Sequence, residues 1–271
     1  MRDRLSVQGD LILFDSTRIV PPSSAIKNIL SRLHAGHGGQ EKTLFLANKL
    51  FYWPGLTNDV KTLVQSCSAC FKRLPSQKQN PSITAAPSTS FGPPMAQVGL
   101  DLFNFAGKKH LLCVDKWSGF PLFKRLQTQS TKAVTDILES WFNVLGWPSA
   151  IRSDGGPQFC GPFRDWCKQN NIKHELSAPY NPKSNGLAES AVKNVKFLLA
   201  KCSETGQDPH RALYEWRNIP RTNGYSPAQL FFGRQQYTSL PAMPIYHNFY
   251  NVQQANKAKD CLLYTSPSPR D

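Results

Sequence analysis

No apolar run in the 271 residues approaches the roughly 20 that a membrane-spanning helix requires, so a membrane partner is not expected. A secretory leader is not expected either. Met1-Arg-Asp-Arg opens none, and the nearby apolar run Leu11–Phe14 is too short for a leader's apolar core. Acids are scarce: 18 Asp and Glu stand against 32 Lys and Arg, a formal net charge of +14 with pI near 9.6. That balance points to a polyanionic partner, although a merely basic soluble protein has the same composition. Seven cysteines, odd in number and irregular apart from one pair, argue against a disulfide framework and for a reducing compartment. Six Trp, eight Tyr and 16 Phe are ample packing material, so disorder is not the default. The length allows one to three domains.

Residues 7–20 read as two short strands around an Asp-Ser-Thr turn, and residues 1–22 as an N-terminal β extension. A helix follows Pro21-Pro22, with Ile26, Ile29, Leu30 and Leu33 at helical spacing, and it ends in His34-Ala-Gly-His37-Gly-Gly. A second helix spans about Gln40 to Leu50 and is broken by Phe51-Tyr-Trp-Pro-Gly. A third, capped by Thr57, leads to Cys67-Ser-Ala-Cys70. His-x2-His, 29 residues and Cys-x2-Cys form a metal signature, because imidazole and thiolate are the ligands zinc prefers. Cys-x2-Cys alone could be a redox pair or two buried thiols. With the histidines upstream, the expectation is one structural Zn²⁺ on His34, His37, Cys67 and Cys70. A segment of about 50 residues has a small core, so the zinc contributes folding free energy. Residues 74–94 change to Pro, Ser, Gln and Thr and read as an extended linker.

Beyond it the pattern reads β-β-β-α-β-α-β-α. Strands are expected at 97–104, 109–115 and 120–126, then a helix from a cap at Ser130 to about Leu145. A strand at 150–153, a helix from Pro162 to about Asn170, a strand at 173–177 and a long helix at about 187–204 complete it. The long helix buries Ala188, Val192, Val195 and Leu199 on this reading. Three acids mark the region: Asp101 in a strand, Asp154 at a strand end before a glycine turn, and Glu189 one turn into the long helix. Converging carboxylates about 4 Å apart repel by roughly 4 kcal/mol at an effective dielectric near 20, so they require a cation or a proton. With 18 acids in the chain, spacing alone would not single these out.

The flanking words do. Ser-Asp-Gly-Gly-Pro-Gln-Phe (153–159), Pro-Tyr-Asn-Pro-Lys-Ser-Asn-Gly-Leu-Ala-Glu (179–189) and Gly-Tyr-Ser-Pro-Ala-Gln-Leu-Phe-Phe-Gly-Arg (224–234) resemble retroviral integrases and, more closely, those of gypsy-type LTR retrotransposons. Residues 23–73 resemble their N-terminal His-His-Cys-Cys domain, with one residue fewer between the histidines than the retroviral spacing. The resemblance implies an α/β, RNase H-like catalytic core at 95–240, a five-stranded mixed sheet with helices, preceded by the small all-α zinc domain. It also implies a DNA strand transferase that processes element 3′ ends and joins them to target DNA, with two Mg²⁺ (or Mn²⁺) held by Asp101, Asp154 and Glu189. Oxygen ligands suit those ions. Double-stranded DNA, a homo-oligomer reached across the linker, and work in the nucleus after a cytoplasmic particle stage are implied partners and setting.

Glu189, Lys193, Lys196 and Ala200 share one helix face. By itself such a stripe is a solvated face. Starting at a proposed metal ligand, it is expected to run along the DNA backbone. Tyr180, Lys183 and Asn185 match positions where integrases touch DNA ends. His110 and His174 read as packing residues, Cys113, Cys160, Cys167 and Cys202 as free thiols, and Asp115 as a strand end away from the metals. The interval from Asp154 to Glu189 is one residue shorter than in retroviral cores, near Cys160-Gly-Pro, where a surface turn absorbs it. The basic, Trp-containing barrel of a complete integrase is absent after Arg234, and residues 241–271 read as a partly non-native tail. The expectation is therefore a polyprotein fragment. The rival readings are a non-catalytic DNA-binding or assembly protein, or an inactive fragment descended from an integrase; an RNase H-like nuclease leaves the zinc ligands unexplained.

Overall fold

The structure is a computed structural model. It describes residues 4–71, 92–176, 186–221 and 224–243, and the side chains of these except residues 71 and 186–190. The chain divides into two compact units, residues 77–199 and residues 1–76 together with 200–271.

The first of these is built on a five-stranded sheet. Its strands are β4 (Gln97–Phe105), β5 (Lys108–Asp115), β6 (Pro121–Arg125), β7 (Ala150–Ser153) and β8 (Lys173–Leu176), in the order β6-β5-β4-β7-β8. The numbering continues from three N-terminal strands described below. β4 pairs antiparallel with β5 and parallel with β7, and β7 runs parallel to β8. The helices α5 (Thr131–Leu145) and α6 (Pro162–Gln169) supply the crossovers that parallel strands require. Ser130 caps α5, its hydroxyl accepting from the Ala133 amide, and Pro162 starts α6 where a missing N–H costs nothing. Val98, Leu100, Leu111, Leu112, Val134, Leu138, Ile151, Phe159 and Phe163 are fully buried. The expected strands and helices are all present, with ends shifted by a residue or so.

The other unit opens with an antiparallel meander of β1 (Leu5–Gln8), β2 (Leu11–Phe14) and β3 (Arg18–Ile19). This is one strand more than the sequence pattern predicts. The Asp-Ser-Thr turn does join β2 to β3, with Asp15 and Ser16 at positive φ, but Gly9 at φ +58° makes a second tight turn that adds β1. Phe14 stacks on Tyr52 at 3.6 Å, and Asp15 accepts from both Arg4 and Arg18, whose guanidinium groups lie over the Phe14 ring. Helices α1 (Ser23–Leu33), α2 (Gln40–Leu50), α3 (Leu56–Ser66) and the single turn α4 (Ser68–Phe71) follow. Thr57 is not the cap of α3. Gly55, in the left-handed region at φ +88°, holds that position, which a side chain would disfavour. Leu33, Leu50, Phe51, Trp53 and Val60 form the centre of this core.

The long helix α7 (Gly186–Thr205) belongs to both units, and its Val192, Val195, Leu198, Leu199 and Cys202 are buried. Ala188 lies among the residues whose side chains are outside the description. Two helices without a counterpart in the sequence pattern come next, α8 (Pro209–Arg217), capped by Asp208, and α9 (Pro227–Phe232), opened by a capping box of Ser226 and Gln229.

Candidate metal centres

His34, His37, Cys67 and Cys70 meet at one point, with one ligand atom from each within 4.8 Å of all the others. The histidines lie at and just beyond the end of α1, and the cysteines flank the start of α4. Cys70 Sγ is 3.3 Å from His34 Nε2 and 3.6 Å from His37 Nδ1, and Cys67 Sγ is 3.8 Å from His37 Nδ1. A tetrahedral ion with Zn–S near 2.3 Å and Zn–N near 2.05 Å sets the S···N edge at about 3.6 Å, close to these three distances, so the ligand set suits zinc. Burial, aided by the charges of His37 and Lys201, lowers the pKa of His34 to about 4 and keeps the imidazole in its neutral, ligating form. Burial raises the pKa of the Cys70 thiol, so binding a cation there displaces a proton.

The His37 backbone sits at φ +47°, in the left-handed region. Its carbonyl accepts from Lys201 Nζ at 3.1 Å, and its Nε2 lies 3.2 Å from Gln207 Oε1. Nothing in the sequence pattern marks these two residues of the 200–207 segment. Gly36 and Gly38 explain the glycine content of the His-Ala-Gly-His-Gly-Gly word. A Cβ on Gly36 would stand 3.0 Å from the Trp216 amide nitrogen and 2.9 Å from Ile219 Cδ1, and one on Gly38 would stand 3.1 Å from that same Cδ1.

On the sheet, Gln97, Val98 and Gly99 of β4 pair with Ala150, Ile151 and Arg152 of β7, each partner 53 residues on (150 − 97). Asp101 and Asp154 carry the same offset (154 − 101). The last pair is Gly99–Arg152, and Asp154 follows the end of β7, so Asp101 and Asp154 lie two residues further along their strands than the described pairing. Asp101 is half-buried and Asp154 exposed. Asp154 Oδ1 accepts from the Gly156 amide at 3.1 Å, and a Cβ at Gly156 would crowd the same oxygen to 3.1 Å. The turn is pinned by a 3-10 segment, Pro157–Phe159, whose Phe159 ring is fully buried. Glu189 lies on α7, but its side chain is outside the described residues, as are Tyr180, Lys183 and Asn185 entirely. Lys193 and Lys196 are exposed, which also suits a solvated face. Lys196 Nζ sits 5.6 Å from the centre of the Phe103 ring, and Phe103 shares the Asp101 face of β4, two residues along.

Asp115 is spent on structure: it is buried, accepts from the Met95 and Ser118 amides, and braces the turn after β5. His110 packs on Phe103 as expected for a core residue. His174 packs on Phe163 but also lies 2.8 Å from the Ser153 hydroxyl, which donates to the Asp154 carbonyl at 2.9 Å. Packing is thus only part of what His174 does, since it reaches the residue beside Asp154. Cys113, Cys167 and Cys202 are buried free thiols, and Cys160 is a half-buried one.

Residues 21–76 match the family described as integrase zinc binding domain, and residues 96–182 the one described as integrase core domain. An uncharacterized protein of Caenorhabditis elegans is 31% identical over 250 residues, which is 88% of this chain and 19% of that protein. The Pro-Pol polyprotein of simian foamy virus type 3 is 29% identical over 227 residues, 80% of this chain and 20% of the polyprotein. The chain thus spans about a fifth of the length of these relatives. Among solved structures, a simian T-cell lymphotropic virus intasome in complex with a PP2A regulatory subunit aligns with TM-score 0.49 and 24% identity over 79% of this chain and 78% of that one. The catalytic core domain of BIV integrase aligns with TM-score 0.44 and 21% identity over 51% of this chain and 94% of that one. The chain thus carries an integrase zinc-binding domain, with its His-His-Cys-Cys cluster, ahead of an integrase core domain on a five-stranded mixed sheet, and its relatives include retroviral polyproteins.

Proposed function

We propose that this chain is a DNA strand transferase of the integrase type, which processes the 3′ ends of an element's DNA and joins them to target DNA. The observation that supports the reading is the parallel pairing of β4 with β7, whose offset, carried two residues past the last pair Gly99–Arg152, would set Asp101 beside Asp154. An exposed carboxylate, Asp154, and a half-buried one, Asp101, both oxygen donors, suit a hard divalent cation such as Mg²⁺ or Mn²⁺. Asp101, Asp154 and Glu189 would hold two such ions, which stabilise the entering and leaving oxygens of an in-line phosphoryl displacement. The chain's own work is positional. The Gly156 amide orients the Asp154 carboxylate, and the α7 lysines Lys193 and Lys196 neutralise phosphates along the duplex. The approach of Lys196 to the Phe103 ring supports a course of α7 along the Asp101 face of β4. Tyr180, Lys183 and Asn185 would contact the DNA end. Double-stranded DNA is then the partner, a homo-oligomer the working form and the nucleus the setting, within an element of the gypsy type.

The test is 3′-end processing and strand transfer by the purified chain on terminal-repeat DNA with Mg²⁺ or Mn²⁺. Glu189→Gln should abolish both while DNA affinity holds. A parent chain that binds DNA and gains no thermal stability in millimolar Mn²⁺ would favour instead a DNA-binding or assembly role.

A further inference from the structure

We infer that Gln207 and Lys201 are positioning residues of the zinc site, so that zinc affinity and the seating of residues 201–219 on the His34–Gly38 loop depend on each other. A metal-bound imidazole ordinarily donates its second N–H to an oxygen that fixes its tautomer and plane. With Nδ1 of His37 turned to the ligand cluster, its Nε2–H donates to Gln207 Oε1 at 3.2 Å. The other histidine has no such support: His34 Nδ1 is buried without a hydrogen-bond partner among the described residues. Gln207 is therefore the described side chain that braces a ligating imidazole from behind. Lys201 acts on the backbone of the same residue, donating to the carbonyl of a His37 held at positive φ.

The glycines show why the two segments meet. Gly36 lies so close to α8 that a Cβ would press on the Trp216 backbone, which cannot swing aside, and Ile219 is buried against Gly36 and Gly38. The His34–Gly38 loop thus has a preformed seat some 170 residues further along the chain, and residues 201–219 lie beyond the 21–76 segment that carries all four ligands. Coupling of this kind is reciprocal: what tightens zinc binding tightens the seat by the same factor.

The experiment uses the full chain with zinc itself as the probe, in competition with a chromophoric chelator. Gln207 is exposed, so its substitutions leave the fold intact. Gln207→Leu should weaken zinc binding by roughly 10- to 100-fold, and Gln207→Glu, which keeps an acceptor, should stay within a few-fold of the parent. Lys201→Met should weaken it as well. Hydrogen exchange on the unaltered chain gives an arm that needs no variant: amides of residues 209–219 should lose protection when zinc is removed. Parental zinc affinity in Gln207→Leu, or exchange at 209–219 that is indifferent to zinc, would overturn the inference.

Discussion

Zinc removal is the perturbation whose size the structure sets most directly. The ion ties the end of α1 to the α3–α4 junction, closing a loop of 29 residues between His37 and Cys67. Treated as a cross-link, that closure withholds loop entropy from the unfolded chain worth roughly 3.6 kcal/mol at 25 °C, and the metal–ligand bonds add to it. Typical domains have about 5–15 kcal/mol in all, so the N-terminal unit should lose a large share of its stability. At about 4–8 °C per kcal/mol for a small domain, chelation should lower its transition by roughly 15–30 °C. Calorimetry with and without a strong zinc chelator measures this, alongside elemental analysis, which should find about one zinc per chain. Cys70→Ala should melt near the chelated parent and respond little to further chelation. A shift of only a few degrees, or folded protein free of zinc, would refute the cross-link reasoning.

Ser153→Ala removes a fully buried hydroxyl that bridges His174 to the Asp154 carbonyl; it should cost about 1–3 kcal/mol and slow strand transfer more than it weakens DNA binding. Lys193→Ala and Lys196→Ala should leave melting unchanged and flatten the log–log salt dependence of DNA binding by roughly 0.9 for each phosphate left without its lysine. An unaltered slope would place those lysines off the DNA. Phe159→Ala empties a buried site under the Asp154 turn and should destabilise the sheet unit by about 3–5 kcal/mol, read as a lower melting transition with zinc content intact.

The zinc cluster is legible because its ligand types and spacing are local chemistry, and the sheet because its strands and helices keep clean hydrophobic periods. What escapes the sequence depends on backbone geometry or on distant pairing. Gly9 and Gly55 set turns through positive φ, which composition does not reveal. α8 is short and largely polar, although the capping box of α9, Ser226 to Gln229, stands in the sequence as a start signal. Ser153 and His174 are 21 residues apart and meet through the β7–β8 pairing, and Gln207 is 170 residues from His37. The equal offset of Asp101 and Asp154 acquires meaning only once β4 and β7 are known to be parallel neighbours.

The central proposal is that Asp101 and Asp154 converge beyond the β4–β7 pairing and hold divalent metal for DNA chemistry. Its most direct test is Asp154→Asn, assayed for 3′-end processing and joining across a Mn²⁺ titration, with melting in metal-free buffer measured on the same preparation. Asp154 is exposed and its amide replacement is isosteric, so metal-free melting should match the parent. Processing should fall by at least about a hundredfold, and the stabilisation by Mn²⁺ should shrink. A variant that cuts and joins DNA at the parental rate, with the parental metal dependence, would contradict the claim.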